Sequence, residues 1–298
     1  MEEKRILSII TPTYNRAKLL HRCYDSLVIQ SCKEFEWIIV DDGSSDNTEE
    51  VIKGFSGADN SFPIIYIKKK NGGKHTALNE AHKYISGDYV LTLDSDDILT
   101  DNAVEIVLKE WVKWENNKQV GIVTFLKGTD SNHPCAYVPE ERTPVDIIKC
   151  KRICVSTCDC CEVIRTDLFK QFPFPVFEEE KFMGETVLWY RVSYTHKCVY
   201  INEVIYICEY LEDGLTKSGR ILRINSPRGG MINSELVMDK RNDLLQRVKN
   251  GLLYVCYGFF AGMKPLDIVR NSKKYRLLKV VCLVPGYFLF LRWKKQYS

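Results

Sequence analysis

GDYVLTLDSDD, at Gly87–Asp97, joins a continuous apolar run to a cluster of acidic residues. The run Asp88–Leu93 has the β-branched and aromatic composition of a strand that is buried on both faces. The strand ends at Asp94, and Ser-Asp-Asp follows directly. In an open parallel sheet, ligands bind outside the carboxyl ends of the strands. The stretch therefore predicts a sheet whose binding edge carries carboxylates.

The residues before this stretch alternate between strand and helix patterns. Short apolar runs predict strands, and apolar residues at helical spacing between them predict helices. Such alternation is typical of βαβ units, so the predicted fold class is α/β with a mostly parallel sheet and flanking helices. The predicted strands are Arg5–Thr11, Glu36–Val40 and Pro63–Ile67, and the predicted helices are Ala17–Cys32, one that follows Ser44–Asp46, and Lys74–Ile85.

The alternation continues after Asp97 and then weakens. We expect three parts, namely residues 1–125, residues 126–218 and a helical tail at residues 219–298. The predicted elements of the later chain are a helix at Asp101–Trp114, a strand at Val120–Phe125, an irregular stretch at Gly128–Asp159, a helix at Glu185–Tyr194, strands within Cys198–Tyr210, and basic helices that end in Leu277–Trp293.

A second acidic pair follows another predicted strand. Asp41 and Asp42 end the run Glu36–Val40, so both acidic clusters should lie on one edge of the sheet. Clustered carboxylates repel one another unless a cation binds, and Mg²⁺ or Mn²⁺ bridges such carboxylates to substrate phosphates. A lone Asp-x-Asp is more often a solvated turn, but two clusters on one edge favour a metal and phosphate site.

NGGKH, at Asn71–His75, follows the third predicted strand and opens a helix. Glycines before a helix N-terminus, with a lysine just inside it, suit a diphosphate, although Asn-Gly-Gly also serves as a simple turn. The dinucleotide signature GxGxxG and the P-loop signature GxxxxGK[ST] do not occur in the sequence, which disfavours those two ligand classes.

Together these segments resemble family 2 glycosyltransferases of the GT-A fold. Their order and spacing match as a set over roughly residues 5–100. Gly184–Thr216 resembles the acceptor half of the bacterial surface-polysaccharide branch, and the tail matches more loosely. The matching donor segments are SIITPTYNR at Ser8–Arg16, the segment Gln30–Thr48 that contains VDDGSSDNT, NGGKHTALN at Asn71–Asn79, and GDYVLTLDSDD.

The resemblance implies which residues bind the donor nucleotide. Asp42 would accept a hydrogen bond from the base, with Asp41 as its neighbour, and Lys74 would approach the diphosphate. The residues that would line the base and the ribose are Thr11, Pro12, Thr13 and Tyr14.

The resemblance also implies that the DxD motif holds a divalent metal. Asp96 would contact Mn²⁺ or Mg²⁺ directly, together with Asp94. Ser95, between them, would lie against the donor, and Asp97 would assist.

Glu185 is implied to be the general base, with Trp189 and Arg191 on the acceptor side of the same helix. Many relatives have Glu-Asp at this point, whereas this chain has Glu185 followed by Thr186 and looks closer to a branch with a single Glu. Taken alone, a glutamate at a helix N-terminus is as often a residue that the helix dipole stabilises. The fallback bases are Glu178, Glu179, Glu180 and Asp213.

The function implied by the resemblance is that of an inverting glycosyltransferase of polysaccharide biosynthesis. Residues 1–125 would bind a nucleotide-sugar donor, UDP-linked by family habit, and residues 126–218 a glycan or lipid-linked acceptor. A metal would stabilise the leaving diphosphate, and a carboxylate would take the proton of the acceptor hydroxyl. Two alternatives remain open, a nucleotide-sugar-binding protein without transfer activity and a phosphohydrolase with an aspartyl nucleophile.

Composition excludes several other classes. With 45% hydrophobic and 27% charged residues the chain is globular, and a net charge of +3 is too small to favour nucleic acid as a partner. Twelve cysteines without a secretory leader favour free thiols in the cytoplasm. Zinc is a weaker alternative, because the cluster Cys150, Cys154, Cys158, Cys160 and Cys161 lacks a usual ligand spacing.

The tail contains an apolar segment, Leu277–Leu291, that a basic and aromatic flank follows. No apolar run reaches the roughly 20 residues of a membrane-spanning helix. Insertion into a membrane interface and packing as ordinary core helices fit the pattern equally well. The expected location is the cytoplasm, with peripheral contact at the inner face of the cell membrane as one of the two interpretations.

Overall fold

The first four strands form the parallel half of a mixed sheet, in the order β3-β2-β1-β4. The computed structural model describes residues 7–138, 141–148, 155–156, 160–208 and 219–297. Every residue of β1 and β2 is buried, as expected for apolar strands covered on both faces, whereas the edge strand β3 is half-buried. The elements are β1 Leu7–Thr13, α1 Leu20–Val28, β2 Phe35–Asp41, α2 Thr48–Ser56, β3 Ile64–Lys68, α3 Lys74–Ala81 and β4 Tyr89–Thr92.

The sheet continues from β4 with strands of both directions, in the order β10-β6-β11-β5. β10 is antiparallel to β4 and β6, β6 is parallel to β11, and β5 and β7 pair antiparallel to β11 and β6. β8 and β9 pair separately. The elements are β5 Ile98–Leu99, α4 Ala103–Trp114, β6 Val120–Asp130, β7 His133–Pro134, β8 Ala136–Tyr137, β9 Val155–Ser156, β10 Cys161–Arg165, α5 Thr166–Gln171 and β11 Lys197–Ile207.

The described residues fall into two compact units, and this sheet belongs to the first of them. The first unit comprises residues 7–173 and 192–208, and the second comprises residues 174–191 and 219–297. The predicted limit at residue 125 lies inside β6, so the implied donor and acceptor halves share one sheet. The three-part division by function stays a prediction.

The second unit is helical and is built around α9, with glycines at its closest contacts. A Cβ atom on Gly230 would lie 2.7 Å from the ring of Tyr257, and one on Gly286 would lie 2.7 Å from Val255. Only glycine lets the helix backbones approach so closely. The elements are α6 Thr186–Val192, whose last residue belongs to the first unit, α7 Gly219–Ile224, α8 Pro227–Val237, α9 Leu244–Phe260, α10 Pro265–Arg270, α11 Arg276–Val281 and α12 Leu283–Tyr297.

The predicted tail helix is divided at Cys282 into α11 and α12. Pro285 explains the break, because a proline ring clashes with the carbonyl group four residues earlier, here that of Val281. Pro285 then lies in the first turn of α12, where its missing amide hydrogen is tolerated. In the described part of the chain, no helix has both the length and the apolar character needed to cross a bilayer.

Candidate active site

Asp42, the residue after β2, anchors the loop between β3 and α3. Its carboxylate accepts hydrogen bonds from Lys69 Nζ at 2.6 Å, Asn71 Nδ2 at 3.1 Å, and the amides of Gly72 at 2.9 Å and Gly73 at 2.6 Å. Gly73 has a φ of +94°, a conformation that glycine adopts without a steric penalty. These donors use the roughly four lone-pair sites of a carboxylate. Asp42 therefore fixes the shape of the glycine loop.

Asp41 is fully buried and holds the turn after β2. Its Oδ1 accepts the amide of Ser44 at 2.7 Å, and its Oδ2 accepts the hydroxyl group of Tyr66 at 3.0 Å. The sequence did not separate the two neighbouring acids. In the structure Asp41 links β2 to β3 through its hydrogen bond with Tyr66, while Asp42 faces the loop at the carboxyl edge of the sheet.

The loops after β1 and β2 are joined by hydrogen bonds. Asn15 Oδ1 accepts the amide of Ser45 at 2.8 Å, and the amide of Asn15 donates to Ser44 Oγ at 2.9 Å. The amides of Arg16 and Ala17 donate to side chains at the start of α2, each at 3.2 Å. This network holds the segment that was predicted to bind the base beside the loop that Asp42 begins.

Within that predicted base-binding segment, Tyr14 is the exposed side chain, at 48%. Thr11 is fully buried, and its Oγ1 accepts a hydrogen bond from Trp37 Nε1 at 2.8 Å. Pro12 is buried as well, and the buried hydroxyl group of Thr13 has no hydrogen-bond partner. Tyr14 therefore exposes its ring at the end of β1, whereas Thr11, Pro12 and Thr13 are buried within that strand.

The N-terminus of α3 connects the two acidic clusters. Lys74 Nζ lies 2.5 Å from Asp94 Oδ1, while the amide of the preceding residue, Gly73, donates to Asp42. Asp42 follows β2 and Asp94 follows β4, and β1 lies between these two strands. The acids that the sequence placed on one edge are thus linked by two consecutive residues.

The acids of the DxD motif differ in their electrostatic environment. Burial opposes ionisation of Asp94, but Lys74 and Lys127 hold the pKa of Asp94 below its usual range. Burial and the charge of Asp94 raise the pKa of Asp96. The same two causes raise the pKa of Asp97 to about 6. A bound cation would relieve this repulsion, so the cluster has the electrostatic character of a cation site.

Tyr206 on β11 supports this cluster, although no sequence motif singles it out. Its hydroxyl group donates to Asp97 Oδ2 at 2.8 Å and accepts the amide of Asp94 at 3.0 Å. Lys127 Nζ lies 4.0 Å from the centroid of the Tyr206 ring. In the sequence Tyr206 is one aromatic residue within an apolar strand, and strand pairing with β5 and β6 brings it to the acids.

The carboxylates of Asp94 and Asp96 suit a metal that binds together with its substrate. Within the described ranges, no three His, Cys, Asp or Glu side chains are arranged to hold an ion. Mg²⁺ commonly takes one or two protein carboxylates and completes its coordination with phosphate oxygens and water. The residues present therefore fit a metal and diphosphate pair better than a metal bound by the protein alone.

The predicted acceptor-side residues lie in the second unit, at and after the start of α6. Glu185 directly precedes this helix and is half-buried. Trp189 is only 7% exposed, so most of its ring is buried. Arg191 is half-buried, and burial lowers the pKa of its guanidinium group.

Among the fallback bases, Glu180 already binds a helix N-terminus. Its carboxylate oxygens accept the amides of Arg228 and Gly229 at the start of α8, each at 2.8 Å. Glu178 and Glu179 are exposed. Asp213, Cys150, Cys154 and Cys158 lie outside the described residues.

A family model described as glycosyl transferase family 2 matches residues 8–172. The chain belongs to glycosyl transferase family 2. The matched region runs from β1 to the end of α5 and includes both acidic clusters, the glycine loop and the loop that carries Tyr14. The matched region thus covers the strands from β1 to β10.

Two curated relatives of this family 2 member match it over 36–39% of its length. It is 36% identical over 115 residues to glycosyltransferase GlyA of Streptococcus pneumoniae serotype 4, a stretch covering 39% of this chain and 16% of GlyA. It is 43% identical over 108 residues to chondroitin synthase of Pasteurella multocida, covering 36% of this chain and 11% of the synthase. The chain spans less than a fifth of the length of these two relatives.

Solved structures of similar fold cover nearly the whole chain. TarS of S. aureus in complex with UDP-GlcNAc matches with a TM-score of 0.61 at 17% identity, over 94% of this chain and 80% of TarS. The mannosyltransferase PcManGT of Pyrobaculum calidifontis, in complex with GDP-Man and Mn²⁺, matches with a TM-score of 0.56 at 14% identity, over 97% and 88%. At such identities the likeness concerns the fold, and it confirms the predicted GT-A architecture.

Proposed function

We propose that this family 2 member is an inverting glycosyltransferase that moves a sugar from a nucleotide-diphosphate donor to a hydroxyl group. The observation that carries the proposal is the link between the acidic clusters, in which Gly73 bonds Asp42 and Lys74 pairs with Asp94. In a nucleotide-sugar donor, the base and the diphosphate belong to the same molecule. A site that holds them needs its base-binding and phosphate-binding groups fixed relative to one another, as this link provides.

The donor would bind across the loops at the carboxyl edge of β1, β2 and β4. Tyr14 offers an exposed ring against which a base can stack, and an N–H group of the base would bind the carboxylate of Asp42 by sharing it with the present donors or displacing Asn71. Lys74 supplies a positive charge at the diphosphate end of the site. UDP is the proposed nucleotide, supported by the fold shared with TarS in its UDP-GlcNAc complex.

Asp94 and Asp96 are the proposed metal ligands, with Ser95 beside the donor and Asp97 held by Tyr206. Bound Mn²⁺ or Mg²⁺ supplies Lewis-acid stabilisation of the charge that develops on the leaving diphosphate. The mannosyltransferase structure with Mn²⁺ and the glucosyl-3-phosphoglycerate synthase structures with Mn²⁺ or Mg²⁺ and UDP support this choice of ions. Tyr206 keeps Asp97 oriented by its hydrogen bond while Lys127 offsets the charge of the cluster.

Glu185 is the proposed general base, which takes the proton of the acceptor hydroxyl group. One base acting opposite one leaving group gives a single displacement, and therefore inversion at the anomeric carbon. Arg191 and the exposed part of Trp189 would contact the acceptor. A glycan or lipid-linked acceptor of polysaccharide biosynthesis is supported by the similarity to chondroitin and hyaluronan synthases. A lipid-linked acceptor would require contact with the inner face of the membrane.

The test of this proposal is the variant Glu185→Gln, which removes the base and keeps the size of the side chain. We expect at least a hundredfold loss of sugar transfer, since general base catalysis contributes about 10²–10⁴-fold. Donor binding, measured by the thermal shift that UDP-sugars and Mn²⁺ cause, should stay unchanged. Glu115→Gln is the matched control, because Glu115 is an exposed glutamate that is not among the candidate bases.

Three outcomes would contradict the proposal. Unchanged transfer by Glu185→Gln would remove Glu185 from the mechanism. Donor binding without transfer to any hydroxyl acceptor by the wild-type protein would favour a binding protein, and steady release of inorganic phosphate from phosphoesters would favour a phosphohydrolase.

A further inference from the structure

The last two helices, α11 and α12, expose a row of large apolar side chains. The row repeats at intervals of three and four residues, which places its members on one side of a helix. Each member is between 42% and 80% exposed. We call this row the apolar stripe, and it consists of Leu277, Val280, Val281, Val284, Phe288 and Leu291.

The opposite side of the same two helices is buried within the second unit. Cys282, which lies between the two helices, is 1% exposed and Trp293 is 7% exposed, and Gly286 is buried as well. A Cβ atom on Gly251 of α9 would lie 2.7 Å from Cys282 Sγ, so these helices already have their packing partner on that side. At 100° per residue the buried positions lie opposite the apolar stripe. The stripe is therefore a second apolar face, additional to the one that stabilises the fold.

The sequence segment that contains the apolar stripe is basic, although one of its lysines, Lys279, is buried and paired with Glu235. Residues 268–298 contain eight Lys and Arg and no Asp or Glu. The wider segment 219–298 carries sixteen Lys and Arg against four Asp and Glu, a charge of +12 in a chain whose net charge is +3. The exposed basic residues that flank the stripe are Lys273, Lys274 and Arg276 before it and Arg292, Lys294 and Lys295 after it.

We propose that the apolar stripe inserts into the surface of an anionic phospholipid bilayer, with α11 and α12 lying in the membrane plane. An amphipathic helix with apolar residues on one face and flanking Lys and Arg suits this position, since anionic headgroups attract the basic residues. At 15 residues α12 is too short to cross the hydrocarbon core, so it lies on the membrane. A second copy of the chain fits less well, because pairing two stripes would bring two acid-free basic segments together.

The inference concerns the second unit alone and stands independently of the proposed transfer reaction. Contact between the apolar stripe and an anionic membrane would bring the protein close to a lipid-linked acceptor. The experiment below measures binding of the protein to vesicles and not sugar transfer. Its failure is therefore distinguishable from failure of the transferase proposal.

The test is flotation of the full chain with vesicles of phosphatidylcholine mixed with phosphatidylglycerol. We expect the wild-type protein to float with these vesicles and to be released by high salt. Phe288→Gln combined with Leu291→Gln should lower the partition coefficient about 100-fold, through lost apolar burial. Lys294→Gln combined with Lys295→Gln should lower it about 30-fold on anionic vesicles, at about fivefold per charge.

The control is Val112→Gln, which removes a side chain that is 65% exposed on α4 of the first unit and should float as the wild type does. Circular dichroism melts show whether each variant is folded, and exposed positions should tolerate glutamine. The proposal is overturned if the wild-type protein does not float, or if folded Phe288→Gln/Leu291→Gln floats equally well. It is also overturned if sedimentation shows a dimer that this double variant dissociates while vesicle binding is absent.

Discussion

Asp42 shows how one side chain can set both the shape of a loop and its ligand chemistry. Its carboxylate is bound by Lys69, Asn71 and two consecutive glycine amides. A base that hydrogen-bonds Asp42 must therefore share or displace a donor, and Asn71 at 3.1 Å has the longest of these bonds. The sequence predicted the acceptor, and the structure adds the donors that orient it.

The variant Asp42→Asn tests this arrangement. It replaces an ionised acceptor by an amide and leaves Lys69 and the glycine amides with one acceptor oxygen fewer. Removing one partner of such a largely buried pair costs about 2–4 kcal/mol of unfolding free energy, measured by urea denaturation. Glu49→Gln makes the same change in an exposed pair with Lys53 and Lys68 and should have a much smaller effect. Equal effects of the two variants would show that Asp42 does not organise the loop.

His75 predicts a pH dependence of stability. It is 2% exposed, its Nδ1 atom has no hydrogen-bond partner, and burial lowers its pKa to about 4. In the unfolded chain the pKa is about 6.5, so below that pH the unfolded state binds the proton first and stability falls. Stability stops falling near pH 4, the pKa of His75 in the folded state, because below that pH both states are protonated.

His75→Gln should remove this contribution. Between pH 7 and pH 5 we expect the wild-type protein to lose about 1–2 kcal/mol more unfolding free energy than the variant does. Urea denaturation at both pH values measures the difference. Parallel losses in the two proteins would mean that His75 is not buried in its neutral form.

At the scale of elements, all four strands of the parallel half were predicted, whereas in the mixed half β6 and β11 were predicted and the shorter strands were not. β1 to β4 are apolar runs with clear ends, and their observed bounds lie within two residues of the predicted ones. β5 and β10 were missed, because two residues and five residues carry too little periodicity. β10 is defined by its pairing with β4 and β6, whose residues lie far away in the sequence. Local patterns do not contain that information.

The glycine loop gives a prediction at the same scale, with a glycine of α2 as its control. Gly73→Ala should destabilise the protein by about 1–3 kcal/mol and weaken nucleotide binding, because alanine is strained at a φ of +94°. Gly54→Ala places its Cβ in open space within α2 and should stabilise by about 0.5–1 kcal/mol. Thermal unfolding measures both. A stabilising Gly73→Ala would contradict the assigned loop conformation.

At the scale of the whole molecule, the two compact units both have a hydrophobic core, whereas the positive charge is concentrated in one part of the chain. Each compact unit has its own buried cluster, the first around Trp37 and Trp111 and the second around Tyr254 and Tyr257. Residues 1–218 carry 26 Lys and Arg against 35 Asp and Glu, so the positive charge is concentrated in the rest of the chain. The near-neutral total therefore conceals an acidic part, residues 1–218, and a basic tail, residues 219–298.

Ligand linkage provides a test on the whole protein. UDP with Mn²⁺, at one hundred times its dissociation constant, should add about 2.7 kcal/mol of stability, seen as a rise in Tm, and either component alone should add less. Asp96→Asn should abolish the gain that depends on Mn²⁺. Glu178→Asn, an exposed acid outside the acidic clusters, should retain it. A full Tm rise without metal, or in Asp96→Asn, would argue against a metal at the DxD motif.

The sequence by itself determined the βαβ half of the fold, the convergence of two acidic clusters on one sheet edge, and the family. It could do so because a parallel strand, its end and the following helix are encoded within a few consecutive residues. Only the tertiary structure distinguished Asp41 from Asp42, brought Tyr206 to Asp97, assigned Glu180 to a helix N-terminus, and separated the buried from the exposed face of the tail. Each of these depends on contacts between distant segments, and local periodicity does not specify which segment will lie opposite.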